Sequence, residues 1–209
     1  MKQKIAFMSL ILVVALYFIG SEKAEAKTAK VTKVSIKNNM SGDKQYSVIT
    51  AKTSLGKTVW KYKTKKYDVT ELTATTMQTK GNRVYAFENG KMLVFNKQTG
   101  KKIVNTKQIL EGYQVIFTVD SSGACYAQPY YMDLVYKVSA KGRILWKRNI
   151  KKTKLGWPGK IKIKKDAVRF YYDSEGPEPY EDVTGKYIDF DKKTGKMLKY
   201  KGVDGKVRK

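Results

Sequence analysis

The chain of 209 residues contains no histidine, one cysteine and four prolines, and it has only 18 acidic residues against 43 lysines and arginines. The missing imidazole excludes Ser-His-Asp and Cys-His activation of a nucleophile, and any zinc site that needs a histidine ligand. The lone Cys125 can close no internal disulfide. It sits in the apolar, strand-like run Gly123-Ala-Cys-Tyr-Ala127, so it reads as a small buried core residue rather than a reactive thiol. Beyond residue 26 there is no helical stripe; instead, runs of four to eight Val, Ile, Tyr, Phe and Thr residues alternate with Gly, Asn and Asp, which predicts an all-β chain.

The one long apolar run, Ile5 to Ile19, follows Lys2 and Lys4 and precedes Ala24-Glu-Ala26. A charged start, an apolar stretch of signal length and an A-x-A site predict a signal peptide over residues 1–26 and an exported, secreted or surface-associated protein. The stretch falls short of the roughly 20 apolar residues that span a bilayer. No cysteine follows it for lipoprotein acylation. Residues 1–26 hold three lysines and two glutamates, so residues 27–209 keep 40 basic and 16 acidic side chains, a net charge of about +24. Such a charge attracts polyanions. For an exported chain these are anionic cell-wall polymers and lipid headgroups, reached through the lysines, and no nucleic acid partner is expected. Lysine on strands also discourages edge-to-edge pairing, so part of the excess serves solubility.

What the chain does have is a repeat. Gly56-Lys-Thr-Val-Trp60, Gly100-Lys-Lys-Ile-Val104, Gly142-Arg-Ile-Leu-Trp146 and Gly195-Lys-Met-Leu-Lys-Tyr200 each open a short basic-then-apolar strand, and their glycines are 44, 42 and 53 residues apart. A period of about 40–45 residues, with several strands per unit, marks a β-propeller blade. The sequence therefore predicts a β-propeller, or a propeller fragment, of about four four-stranded antiparallel blades, with units at about 31–66, 71–108, 112–150 and 158–202. The first unit appears one strand short, and the tail Val203-Asp-Gly-Lys-Val207 is a candidate to supply it. Trp60 and Trp146 occupy equivalent repeat positions and read as blade packing.

The run Val84-Tyr-Ala-Phe-Glu-Asn-Gly-Lys-Met-Leu-Val-Phe-Asn-Lys-Gln-Thr-Gly-Lys-Lys-Ile103 resembles the PQQ-like repeat, whose core reads strand, turn, Gly, strand, Asp/Asn-x-x-Thr-Gly-Lys, strand. Asp191-Lys-Lys-Thr194-Gly195-Lys196 repeats the second half of that pattern. The resemblance covers about residues 45–202. It implies kinship with quinone-dependent dehydrogenases and outer-membrane assembly scaffolds, usually of about eight blades. The enzymes of that group carry a vicinal cysteine pair, which Cys125 alone cannot form, so no redox activity and no cofactor are carried over.

Eight of the 16 acidic residues beyond residue 26 lie between Asp166 and Asp191. The longest insertion, Asp173 to Gly185, holds Asp173, Glu175, Glu178, Tyr180, Glu181 and Asp182 between stiffening prolines. Three readings stand side by side: a solvated insertion that relieves the lysine field, a partner-binding loop, and a calcium site using Asp173, Glu175 and Asp182. Tyr130, Tyr131 and Trp157, beside turns, are further binding candidates, whereas Tyr126 and Tyr171 are expected in the core. The expectation is an exported, non-catalytic scaffold that binds an envelope protein or an anionic polymer, of undetermined oligomeric state. The alternative is a glycan- or calcium-binding module, or a carboxylate-dependent hydrolase, using the Asp173–Asp191 region.

Overall fold

The computed structural model describes residues 29–68, 75–111, 114–155, 158–172, 185–202 and 204–209. Residues 1–26, expected to be a signal peptide, lie outside them. All the described sheets are antiparallel, and they follow one another along the chain as the blades of a β-propeller. The first blade holds β1 (Lys33–Ser41), β2 (Lys44–Lys52) and β3 (Thr58–Lys63), with the two-residue β4 (Tyr67–Asp68) paired to the start of β2. The second runs β5 (Thr76–Lys80), β6 (Arg83–Glu88), β7 (Lys91–Asn96) and β8 (Lys102–Gln108). The third runs β9 (Val115–Val119), β10 (Cys125–Pro129), β11 (Leu134–Val138) and β12 (Ile144–Asn149). The fourth runs β13 (Pro158–Ile163), β14 (Ala167–Tyr172), β15 (Lys186–Asp191) and β16 (Met197–Lys201), and β17 (Val207–Arg208) is added at its outer edge. Neighbouring first strands β5, β9 and β13 lie against one another along the inner side of the array.

By the position of the Gly56 turn, β1 to β3 correspond to the second, third and fourth strands of a complete blade. The first blade thus lacks an innermost strand among the described residues. The tail does not supply it, contrary to the sequence expectation. Val207 and Arg208 pair with Lys201 and Tyr200 instead, because the tight Gly202–Lys206 turn folds the tail straight back onto β16.

Three apolar seams hold the blades together. The first joins Ile49, Trp60 and Tyr62 to Val84, Ala86, Leu93 and Phe95. The second joins Tyr85, Phe87, Met92 and Val94 to Phe117, Cys125, Tyr136 and Val138. The third joins Tyr126, Val135 and Trp146 to Val168, Phe170, Ile188 and Phe190. Both faces of β6 and β7 are therefore buried, and Val84, Ala86, Phe87, Met92, Val94 and Phe95 are wholly so. Strand alternation sends successive side chains into successive seams. Cys125 is fully buried in the second seam, and burial pushes its thiol well above the ordinary range.

Each seam closes on a turn. Asn96 Oδ1 accepts the backbone N–H groups of Gln98 and Thr99, and Asp191 Oδ1 accepts those of Lys193 and Thr194. These contacts hold the Asn/Asp-x-x-Thr-Gly turns, whose glycines stand at φ 70° and 69°, a region that suits glycine. The indole of Trp60 lies on Gly100 and donates from Nε1 to Lys97 O at 2.9 Å; that of Trp146 lies on Gly195 and donates to Lys192 O at 3.3 Å. A Cβ on Gly100 or Gly195 would come within 2.7 or 2.6 Å of the ring.

The two end faces are different in kind. On the fourth blade, Ile161-Phe170-Ile188-Tyr200 and Ile163-Val168-Phe190-Met197 face the third, whereas the rows Lys160-Tyr171-Tyr187-Lys201 and Lys162-Arg169-Asp189-Lys199 face away. Tyr171 is thus on the outer face, contrary to the expectation of a core position. Its neighbour Tyr172 is the buried one, because Phe170 fixes the phase of β14. On the first blade, the outward rows are Ser35-Thr50-Lys61 and Lys37-Val48-Lys63. Among the described residues no core cluster joins the first blade to the fourth. Terminal repeats with polar outer faces are what an open array requires.

Urea denaturation tests the turn-and-ring joint. Trp146→Ala is expected to cost about 3–5 kcal/mol. Gly195→Ala is expected to cost more than Gly56→Ala: both glycines have positive φ, but a Cβ at Gly56 meets nothing within 4 Å. Equal costs for the two glycine variants would show that ring contact plays no part.

Candidate functional site

The hairpin between β6 and β7 turns on Asn89 and Gly90, at φ 47° and 67°, the positive pair of a two-residue hairpin loop. That tight turn places Glu88 at the end of β6, buried to 4 % exposure, facing the first blade. A buried carboxylate needs donors, and the first blade provides them. Tyr62 Oη donates to Glu88 Oε2 at 2.7 Å, and Tyr67 Oη and the Lys65 N–H donate to Oε1 at 3.0 Å each. Burial, then the neighbouring Glu88 carboxylate, raises the Tyr62 phenol well above its ordinary range, so it stays a donor.

Above this buried pair opens a cleft of about 510 Å³ lined by Tyr62, Lys65, Glu88, Lys91, Lys102 and the strand from Asn105 to Gln108. Its cations are Lys65, Lys91, Lys102 and Lys107. None of the four forms an ion pair among the described residues, and Lys102 Nζ stands 4.9 Å from the Tyr62 ring centre. The Glu88 carboxylate, held by three neutral donors, brings one negative charge against four ammonium groups, so the cleft is cationic in balance. Chemically, the cleft is an anion receiver with an aromatic wall. Sequence reading did not single out Glu88; the available signal was a glutamate closing an otherwise apolar strand.

Tyr130 and Tyr131 lie in the loop between β10 and β11. Their ring centres are 6.5 Å apart, Tyr131 is 55 % exposed at φ 60°, and burial raises the Tyr130 phenol. The loop is tied to the fourth blade, because Tyr172 Oη donates to Gln128 Oε1 at 2.9 Å and Gln128 Nε2 donates to Met132 O. The chain leaves β14 at Tyr172, so the tyrosine pair stands beside the point from which the acidic segment departs. Asp173, Glu175, Glu178, Tyr180, Glu181, Asp182 and Trp157 themselves lie outside the described residues.

Of the remaining acidic cluster, Asp189 and Asp191 are committed to structure. Arg169 grips Asp189 with two bonds of 2.7 and 2.8 Å, Lys164 stands 3.5 Å away, and the Arg169 guanidinium lies 3.5 Å from the Tyr187 ring centre. Although burial works against ionisation, Arg169 and Lys164 hold the Asp189 carboxyl below the usual range. The Thr194 donors do the same for Asp191. The alternative carboxylate site therefore loses both of these residues. Among the described residues no group of three His, Cys, Asp or Glu side chains could hold a metal ion.

No protein-family model matches the chain, and no curated protein matches it. Among solved structures it is similar to a protein of unknown function from Bacteroides caccae, at 10% identity and a TM-score of 0.47, over 78% of this chain and 58% of that one. It is similar to streptogramin B lyase at 13% identity and 0.49, over 84% and 72%. It is also similar to the WD40 domain of Neurospora crassa Pan2 at 11% identity and 0.47, over 79% and 51%. The chain spans little more than half the length of the first and third of these. The likeness concerns the course of the chain and extends to no activity.

A depressed carboxyl contributes stability above its unfolded pKa and loses it as pH falls through the folded value. Acid titration of the native protein is therefore expected to show stability falling below about pH 4. Asp189→Asn is expected to be less stable at pH 7 by roughly 2 kcal/mol, with a shallower loss in acid. An acid limb of unchanged slope would show that Asp189 does not couple to folding.

Proposed function

We propose that this β-propeller protein is an exported, non-catalytic binding scaffold of the cell envelope, and that it takes up acidic groups of an anionic polymer in the lysine cleft between its first two blades. The observation that carries this reading is the set Lys65, Lys91, Lys102 and Lys107 around one cleft, with no ion pair among the described residues and a single carboxylate, Glu88, against the four of them. Four like charges held near one another by a rigid sheet repel, and a polyanion relieves that repulsion. Export rests on the residue pattern from Lys2 to Ala26.

A second reading draws on the Tyr130–Tyr131 pair. An exposed ring beside a half-buried one suits stacking on a sugar, so a glycan is the alternative ligand, bound next to the acidic segment.

Retention on dextran sulfate and on neutral dextran across a salt series separates the two. The proposed function expects binding to dextran sulfate that fades between about 0.05 and 0.5 M salt, as screening shortens to a few ångströms, and none to neutral dextran. The triple variant Lys65→Glu, Lys102→Glu and Lys107→Glu should lose it. The control triple Lys160→Glu, Lys162→Glu and Lys165→Glu, with the same change in net charge, should lose much less. Equal losses would mean that net charge alone, and no cleft, is responsible. Salt-resistant binding to neutral dextran would favour the tyrosine pair.

A further inference from the structure

The repeat puts residue Gly+4 of one blade against the glycine turn of the next, and this rule exposes an exception. Trp60 meets Gly100 and Trp146 meets Gly195, but the middle seam has Val104 at that position. The opposing turn is also shorter. In the outer two seams the glycine N–H reaches back four residues, to Asn96 O and Asp191 O, whereas Gly142 reaches back three, to Ser139 O. Val104 and Thr106 cover Gly142 in place of an indole, with Thr106 the nearer of the two.

A cleft of about 820 Å³ lies at this place, lined by Arg83, Ile103 to Thr106, Ser122, Ala140 and Lys141. Val104, which packs on the second seam, Ile103, 48 % exposed at the rim, and Ala140 give it an apolar strip, and Asn105, Thr106 and Ser122 are its neutral polar lining. At its sides stand the Arg83 guanidinium and the Lys141 ammonium. Neither side chain has a hydrogen bond or ion pair among the described residues. A flat apolar recess between two unengaged cations calls for a ring with negative charge beside it.

We infer that the seam between the second and third blades is a docking site for an acidic segment of a partner protein that inserts one aromatic side chain over Val104, with its carboxylates on Arg83 and Lys141. Aromatic anchors in a recess with charged surroundings dominate many protein interfaces, and complementary charge at the rim guides approach and register. This site and the lysine cleft adjoin across β8 and share Asn105 and Thr106, but their charged groups differ: Lys65, Lys91, Lys102 and Lys107 there, Arg83 and Lys141 here.

The test is a titration of the full chain with the peptide Asp-Glu-Trp-Glu-Asp, read from the methyl NMR signals of Val104 and Ile103, with Asp-Glu-Ala-Glu-Asp as control. The expected result is saturable shifts with the tryptophan peptide and none with the alanine peptide. Arg83→Glu and Lys141→Glu should each weaken binding roughly fivefold or more. Val104→Trp, which fills the recess from within, should abolish it. Because the short turn leaves a risk that this variant does not fold, the two charge reversals stand as independent tests on a native surface. Equal binding of both peptides, or binding unchanged by the charge reversals, overturns the inference.

Discussion

The seating of a side chain from one blade on the glycine turn of the next is the contact that registers the array: an indole in the first and third seams, Val104 and Thr106 in the second. A blade's apolar face is broad but featureless, and hydrophobic burial alone would let neighbouring sheets slide. The indole fixes them in two ways. Its ring fits only where the turn has no Cβ, and its Nε1 finds a single carbonyl, Lys97 O or Lys192 O. The turn in its own right is held by Asn96 or Asp191, so each element of the Asn/Asp-x-x-Thr-Gly pattern has a physical task. The third seam is reinforced further, since Arg148 donates to Gly195 O and Thr194 O and Lys137 donates to Lys192 O. These charged donors supply the turn carbonyls with partners that a solvent-exposed loop would take from water.

A chain with a net charge of +25 folds despite self-repulsion because its few acids stand where they do most. Asp189 is pinned between Arg169 and Lys164, Glu111 meets Lys147 at 2.6 Å, and Asp204 meets Arg208 at 2.6 Å. Asp120 accepts from Ser122, Ala124 and Tyr126, and Asp191 closes its turn. Acids used for capping and for clamping are not available to neutralise the remaining lysines. The lysine field is thus left open to solution, and it is densest where two outer strands and a hairpin converge. It also explains the polar end faces. Joining two copies head to tail would set Lys61 and Lys63 of one against Lys160, Lys162, Lys199 or Lys201 of the other, a like-charge junction that costs free energy.

Most of the architecture was legible in the sequence because its causes are local. Gly56, Gly100, Gly142 and Gly195 were each expected to open a short strand, and β3, β8, β12 and β16 follow them. Asn89-Gly90 announced its hairpin through the positive φ that both residues accept. The misreadings have a common origin in choices that only a neighbouring element decides. Tyr171 and Tyr172 are adjacent tyrosines, and nothing in the pair says which faces the third blade; the register with Ile188 and Phe190 decides it. The tail could pair with either end of the array, and the Gly202–Lys206 turn settles the matter by a short-range contact. Glu88 stayed hidden because its donors come from residues 21–26 positions away, on another blade.

The second blade shows why binding and rigidity need not compete in such a fold. Its two middle strands, β6 and β7, are buried on both faces, so they are held from both sides and have little freedom to shift. Its outer strand β8 hangs on that fixed frame, largely exposed, and sends Lys102 and Asn105 toward the first blade and Val104 and Thr106 toward the third. Strand alternation therefore gives one five-residue stretch two unlike surfaces. The side toward the first blade meets Tyr62 and Glu88, and with Lys65, Lys91 and Lys107 it is cationic in balance. The side toward the third meets a short turn and stays partly apolar. A change in the length of that single turn, or in the size of residue 104, would redistribute space between the seams without disturbing the frame. Both clefts thus border β8, one at a seam where the repeat keeps its tryptophan and one at the seam where valine replaces it, and the frame behind them is the same.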